Sequence, residues 1–463
     1  MTTHHLGHHA IVIGGSMAGL LTARILSDHF AQVTILERDK VVDAPEPRKG
    51  QPQTRHLHAL LAKGLDVMTH YFPDLPQGLT ENGAMLADMG DRMRWYAFGG
   101  YRTRVQAGLV GALMSRPLLE WQVRRRVLAL PNVTLVDEVD VEGLAFSDDL
   151  TRVAGVAIMH RTGDRQRASL WATLVVDASG RGTATPRWLE AHGYGKPAES
   201  IVKVNMGYAT RVYRRRPGDL AGADLLIVSG EAPHDKRAGL VFPIEGDRWI
   251  CTLAGTAADY PPTDEAGFLE YARSLAAPDV YNLISRLEPL SEILSHRLPS
   301  SLRRHYEKMA RFPEGLLVLG DAVCSFNPVY GQGMTSATLQ AEALDQVLTA
   351  RHGHPLTGIA REFFARAAKI VDIPWQMAAG EDFRYPETEG KKAPGTDLLN
   401  AYVARVHRAT HHDPVVLAEF LKVMNLMLPP TSLMRPAILW RVLRSRGTAT
   451  TRSLTAMQPA SGD

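Results

Sequence analysis

The chain has 463 residues, 45% of them hydrophobic, enough to bury a large core spread over two to three domains. Its 52 Lys and Arg residues against 49 Asp and Glu leave a net charge of +3, too mild to argue for nucleic acid or a membrane surface as a partner. Only Cys251 and Cys324 occur, which excludes a disulfide framework and a cysteine-rich metal centre and suits a reducing, cytoplasmic setting.

The first residues, MTTHHLGHHA, lack the basic flank and apolar run of a secretory signal, and no later apolar stretch is long enough to span a bilayer. His4, His5, His8 and His9 read as a terminal tail, so no metal site is expected. The stretch AIVIGGSMAGLLTARIL follows. Ala10 to Ile13 is an apolar run of strand type, Gly14, Gly15, Ser16, Met17, Ala18 and Gly19 make a turn, and Leu20 to Leu26 continues with helical spacing. A second strand, Gln32 to Leu36, ends at Glu37, 23 positions after Gly14 and next to Arg38. That order is a dinucleotide-binding unit: glycines let the backbone approach a pyrophosphate, the helix N-terminus offers amides to it, and the acid takes ribose hydroxyls. Ser16 stands where the middle glycine of the usual Gly-x-Gly-x-x-Gly is found, and it is small enough for close approach.

Val202 to Arg211, Leu240 to Pro243 and Arg248 to Leu253 read as strands of a sheet. Trp95, Phe98, Tyr101, Met206, Tyr208, Phe242, Phe326, Pro328 and Tyr330 are candidates for a substrate pocket. Further on, GLLVLGDAVCSFNPVYGQGMTSATLQAEAL begins with a buried strand, Leu316 to Leu319, and turns at Gly320-Asp321. It opens a long helix at Gly331-Gln332-Gly333-Met334. Asp321 at the strand end suits ribitol hydroxyls, and the glycine-rich helix start suits the electron-rich edge of a flavin. The two glycine segments fit the two ends of one FAD. Beyond Ala350 the chain reads as helices, and LMRPAILWRVLRSRGTATTRSL reads as a solvated helix packed on the cofactor domain.

With these motifs the chain resembles the FAD-dependent monooxygenases built like aromatic hydroxylases. The stretches RKGQPQTRHLHALL (Arg48 to Leu61), DASGRGT (Asp177 to Thr183) and FNPVYGQGM look most like the flavin epoxidases of polyether polyketide biosynthesis, over the chain up to about residue 385. The resemblance implies an α/β fold: a Rossmann-like FAD domain of glutathione-reductase type from 1–80, 108–195 and 305–350. A β-sheet substrate domain would come from 81–107 and 196–304, with C-terminal helices over 351–463. It places Arg116, in SRPLLEWQV, near the FAD phosphates or ribose, and Arg55 or a neighbour against the flavin. His56 and His58 read as local hydrogen-bond formers.

The implied chemistry is transfer of one oxygen atom from O2, through a flavin C4a-hydroperoxide, to an alkene or aromatic carbon of a polyketide- or terpenoid-like intermediate, giving epoxidation or hydroxylation. No catalytic side chain is required by that chemistry, and no base that would deprotonate a phenol is evident. At Asp177-Ala178-Ser179-Gly180 the family usually has Asp-Gly; Ser179 stands in place of that aspartate and, with Gly180, borders the cofactor. The electrons would come from NAD(P)H docked by other contacts or from a partner flavin reductase. A flavin-dependent halogenase and a flavin-dependent reductase of a double bond are the alternatives. The halogenase signature Trp-x-Trp-x-Ile-Pro is not met by Asp372-Ile373-Pro374-Trp375.

Overall fold

The structure, a computed structural model, describes residues 5–328 and 331–445. Two sheets organise it. The first has five parallel strands in the order Leu316–Val318, Leu174–Asp177, Gly7–Ile13, Phe30–Leu36 and Val133–Val136. Its central strands are apolar on both faces, as strands of a parallel sheet covered on both sides must be: Ile11, Val12, Leu174, Val175 and Val176 are fully buried. The helices Met17–His29, Ala62–Tyr71, Gly333–Thr349 and Ile359–Asp382 pack together beside it, contributing Leu20, Leu344, Val347 and Phe363 to one continuous core. Helix Arg116–Leu128 starts where the sequence places it: Ser115 Oγ caps the Leu118 amide at 3.2 Å, and Leu118, Leu119 and Val123 face inward.

The second sheet is larger and mostly antiparallel. Its long central strand, Ala198–Arg214, pairs on one side with Arg248–Gly255 and on the other with Leu294–His305, and Arg237–Ile244 and Leu225–Ser229 extend it. Met93–Ala97 joins in parallel with Leu225–Ser229, so a segment from early in the chain completes this sheet.

Of the tail that the sequence suggests is a solvated helix, Pro436–Arg444 is exposed except at Ile438 and Val442, and it packs on the C-terminal helices before it. Thr396–Ala409, Pro414–Met424 and Pro436–Arg444 bury Val406, Phe420, Leu421, Ile438 and Val442 in a cluster that also takes in Ala62 and Leu109 and packs on Trp95. Spacings of three and four put these apolar residues on one stripe of each helix, and that stripe turns inward. Residues 446–454 of the quoted tail lie outside the described residues. Arg102 fastens these helices to the sheet: its guanidinium lies 3.9 Å from the Trp95 ring and 4.5 Å from Phe420, and it donates to His407 Nδ1 at 2.7 Å. Among the described residues no helix is long and apolar enough to cross a membrane. His9 is tied to Trp171 O and to Thr34 Oγ1, both at 2.8 Å.

Candidate active site

A cavity of about 1010 Å³ runs between the two sheets, from the glycine loop to the C-terminal helices. That is at the top of the range of roughly 300–1,000 Å³ usual for ligand and cofactor sites.

At one end the chain turns tightly from strand to helix. Gly14 has φ +101°, and a Cβ there would lie 2.7 Å from Ala178 O; a Cβ on Gly19 would sit 1.7 Å from Gly14 O. Only glycine lets the helix Met17–His29 close onto the strand before it. Ser16 caps that helix by its backbone while its side chain turns aside, donating to Glu120 Oε2 at 2.8 Å and accepting from Arg116 at 3.1 Å. Glu37, 6% exposed, accepts from the Gly15 amide at 2.8 Å and pairs with Arg48 at 2.8 Å; Arg48 in turn pairs with Glu120 at 2.6 Å. Four charged side chains thus brace the loop.

Gly14, Ser16, Met17, Ala18, Glu37, Arg38, Arg116, Ser179, Gly180, Asp321, Gly331, Gly333 and Met334 all line the cavity. Three expected residues do not. Gly15 is packed against Glu37 and Gly19 against Gly14, so both serve the turn rather than the wall. Arg55 is exposed at the end of the 3₁₀ turn Pro52–Arg55, which carries it away from the cavity; its neighbours Gln51, Gln53, His56 and His58 form the wall instead. Burial pushes the Asp321 carboxyl up, and the charges of Arg116 and Arg181 work against that rise. Gln340 Oε1 accepts from Gly320 N at 3.0 Å, holding the Gly-Asp turn on the helix that begins at Gly333.

The Asp177-Ala178-Ser179-Gly180 turn has its own logic. Asp177 is fully buried and accepts from Ser179 N at 2.9 Å, Ser179 Oγ at 2.6 Å, Thr185 Oγ1 at 2.5 Å and Thr183 Oγ1. Ser179 is exposed on the cavity side while its hydroxyl is committed to Asp177.

Met206, Tyr208, Phe242, Phe326, Pro328, Trp95 and Phe98 also line the cavity. Tyr101 is not among them: it is 46% exposed and its hydroxyl donates to Asp279 at 2.6 Å on the outer edge of the sheet. Tyr330 lies outside the described residues.

His56 is a local hydrogen-bond former, its Nδ1 2.8 Å from Thr210 Oγ1, which itself meets Thr252 Oγ1 at 2.7 Å. Its ring stands edge-on to Tyr208, 4.7 Å between centroids, and Tyr208 is 5.4 Å from His296. Burial, with the charges of His296, His58 and Arg55, pushes His56 down to about 3. His58, bonded to His56 O, is pushed down to about 4 by burial and by Arg116.

The reading of the sequence missed Arg48, Glu120, His296 and the C-terminal contribution of Met377, Asp382, Phe420 and Met424. Glu120 had a signal, since it follows Arg116 by four residues and so shares its helix face. Gln332, fully buried, donates to Met424 O at 3.1 Å, and so ties the second glycine segment to those helices.

No protein-family model matches the chain. It is 36% identical over 433 residues to Protein Rv3254 of Mycobacterium tuberculosis, covering 90% of both chains. It is 24% identical over 434 residues to kynurenine 3-monooxygenase of Salinispora tropica, covering 86% of this chain and 81% of that one. Among solved structures it is similar to PqsL of Pseudomonas aeruginosa, described as a probable FAD-dependent monooxygenase, with TM-score 0.61 and 17% identity over 81% of this chain and 98% of the other. It is also similar to the flavin-dependent brominase Bmp2, with TM-score 0.65 and 14% identity over 94% and 98% of the two chains. The chain belongs to the family of the mycobacterial protein Rv3254, on the fold of the FAD-dependent monooxygenases.

Proposed function

We propose that the chain is an FAD-dependent monooxygenase that adds one oxygen atom from O2 to a hydrophobic natural-product intermediate of polyketide or terpenoid type, by hydroxylation or epoxidation. The observation that carries this reading is the continuity of one cavity from a dinucleotide loop to an apolar pocket between a sheet and the C-terminal helices. Similarity in sequence to a kynurenine 3-monooxygenase and in fold to a probable FAD-dependent monooxygenase supports it.

The residues fit FAD. The helix starting at Met17 has no acidic residue in its first turn to compete with a pyrophosphate, and the buried Arg116 lines the cavity beside it, its Nε without a hydrogen-bond partner among the described residues. In this reading Gly14 to Ala18 hold the pyrophosphate, and Glu37 and Arg38 border the adenosine. Arg116, Asp321, Ser179 and Gly180 surround the ribitol and phosphates, and Gly331, Gly333 and Met334 meet the isoalloxazine. FAD, when bound and reduced, supplies the electrons that activate O2. The chain's own part is to place the substrate and keep water out: Met206, Phe242, Trp95 and Phe420 make an apolar enclosure, and Arg102 pins the helices that close it.

The electrons come from NAD(P)H or from a partner flavin reductase. The brominase likeness keeps halogenation as a second reading, but Asp372 and Pro374 lie within the helix Ile359–Asp382, where Asp372 pairs with Arg303, and do not form a halogenase signature. Two measurements test the proposal. Titration with FAD should give a tight complex, and aerobic incubation with reduced flavin should add the mass of one oxygen to an acceptor. Failure to bind FAD at micromolar concentration overturns it, and a bromine in the product or a gain of hydrogen alone transfers it to the halogenase or reductase reading.

A further inference from the structure

Helix Thr396–Ala409 turns Leu399, Val403 and His407, spaced four apart, toward the cavity. The His407 ring is held in place on two sides. It stacks on Phe98, 4.1 Å between centroids and 17° between planes, and meets Phe420 edge-on at 4.9 Å. Its Nδ1 lies 2.7 Å from a guanidinium nitrogen of Arg102. A guanidinium only donates, so Nδ1 is the bare nitrogen of the neutral imidazole and the ring hydrogen sits on Nε2. No group among the described residues accepts that hydrogen. Nε2 keeps accessible surface where the ring forms part of the cavity wall, whereas Trp95 Nε1 and Arg102 Nε close by are sealed.

Arg102 is what fixes this arrangement. It is buried between Trp95 and Phe420, donates also to Thr410 Oγ1, and has no carboxylate paired with it among the described residues. Burial pushes it down to about 9, so it stays charged at neutral pH. Burial, followed by the charges of Arg102, Arg384, His411 and Arg408, holds His407 well below the ordinary histidine range, and the ring is neutral. The other polar side chains of the helical wall are committed within the chain. The Tyr402 hydroxyl donates to Leu433 O, the Asn400 amide to Gly380 O at 2.7 Å and the Asn425 amide to Leu421 O at 2.9 Å, while Glu381 pairs with Arg384 at 2.7 Å. Asp382 accepts from Asn327 through Oδ1 and its Oδ2 is sealed, and Gln376 is exposed. A fixed neutral N–H on a wall whose other donors are spent selects a ligand with a hydrogen-bond acceptor.

We propose that His407 determines specificity, its Nε2–H donating to a ketone or quinone carbonyl oxygen of the substrate. This rests on the monooxygenase reading and names the group that its substrate carries. Arg102 is a positioning residue: it acts through Nδ1 and keeps the hydrogen on the nitrogen that faces the cavity. A carbonyl fits this contact better than the other oxygen groups. A carboxylate would give up its water for one bond to a neutral ring, with the Arg102 charge screened from it by Trp95 and Phe420. A hydroxyl would bring a hydrogen that needs an acceptor of its own.

The experiment measures binding of 2-acetonaphthone, 2-ethylnaphthalene and 2-naphthoate to the full chain with and without FAD. Relative to each probe's own partition from water into cyclohexane, wild type should favour the ketone over the hydrocarbon by about fivefold or more, the yield of one hydrogen bond. The carbonyl stretch of the bound ketone should be lowered in the infrared spectrum. His407→Phe keeps a ring to stack on Phe98, and it should lose both the preference and the lowered stretch while FAD affinity is unchanged. Nitrogen-15 spectra should show the His407 hydrogen on Nε2 in wild type, and a share of it on Nδ1 in Arg102→Met while 2-ethylnaphthalene still binds. Equal partition-corrected binding of ketone and hydrocarbon by wild type overturns the proposal, as does an undiminished preference in His407→Phe. A wild-type ring with its hydrogen on Nδ1 overturns it too, and tighter binding of 2-naphthoate than of the ketone does so in favour of a carboxylate. The wild-type measurements decide the matter even where a variant does not fold. Failure to bind FAD with the ketone preference intact overturns the cofactor reading alone.

Discussion

Glu37 and Arg48 meet at 2.8 Å with both side chains less than a tenth exposed, directly behind the glycine loop. Arg48 also reaches Glu120 at 2.6 Å, so one buried cation serves two carboxylates. Breaking such a pair leaves an uncompensated charge in the interior, at a cost of about 3–5 kcal/mol. Arg48→Met should lower stability by about that amount in urea unfolding, and adding Glu120→Gln should restore part of it. A change below about 0.5 kcal/mol would show that Glu37 and Glu120 do not depend on Arg48.

Ser16 tests the loop itself. Ser16→Gly removes hydrogen bonds to Glu120 and Arg116, each worth about 0.5–1.5 kcal/mol, and leaves the path to the pyrophosphate open. Stability should fall slightly and FAD affinity should stay nearly intact. Ser16→Leu should abolish FAD binding, read by the quenching of flavin fluorescence, because the larger side chain blocks the approach of the phosphates. Binding by the leucine variant would remove the loop from the cofactor site.

Glu37→Ala and Asp321→Ala separate the two ends of the cofactor. Each should weaken FAD by roughly 1–3 kcal/mol, the range for losing a buried hydrogen-bond partner. Only Glu37→Ala should spare FMN, which has no adenosine. Equal losses for FAD and FMN at Glu37 would count against its place beside the ribose.

His56 gives the fold an acid sensitivity. Its pKa is pushed from an ordinary 6.5 down to about 3 in the folded chain, so the unfolded state binds the proton first as pH falls. Stability is therefore full above 6.5 and declines below it. By pH 5 this histidine alone should remove about 2 kcal/mol. His56→Gln should flatten that part of the profile; an unaltered profile would mean that His56 protonates freely in the native state.

Ser179 bears on the source of electrons. With its hydroxyl held by Asp177 and no carboxylate at that position, reduction of bound FAD by NADPH alone should be slow, and a free flavin reductase should accelerate substrate oxidation. Stopped-flow bleaching by NADPH that is fast and indifferent to reductase would assign the electrons to direct nicotinamide docking.

Parts of the molecule whose signal is local are legible in the amino-acid order alone. A strand, a glycine turn and a helix can be read from Ala10 to Leu26 because backbone geometry at Gly14 and close packing at Gly19 admit no other residue, and these needs leave their mark on neighbouring positions. The capped start of the helix at Arg116 and the strands from Val202, Leu240 and Arg248 were legible for the same reason. Which charges meet depends on how distant segments pack. Arg48 and Glu120 lie 72 positions apart, and Asp382 and Asn327 lie 55 apart, so no periodicity links them. It also decided that the C-terminal helices close the cavity, since an apolar stripe on a helix specifies that a face is buried and not what it is buried against. Arg55 shows the same limit from the other side: within the stretch Arg48 to Leu61 a short 3₁₀ turn chose which side chains reach the cavity and left Arg55 exposed outside it.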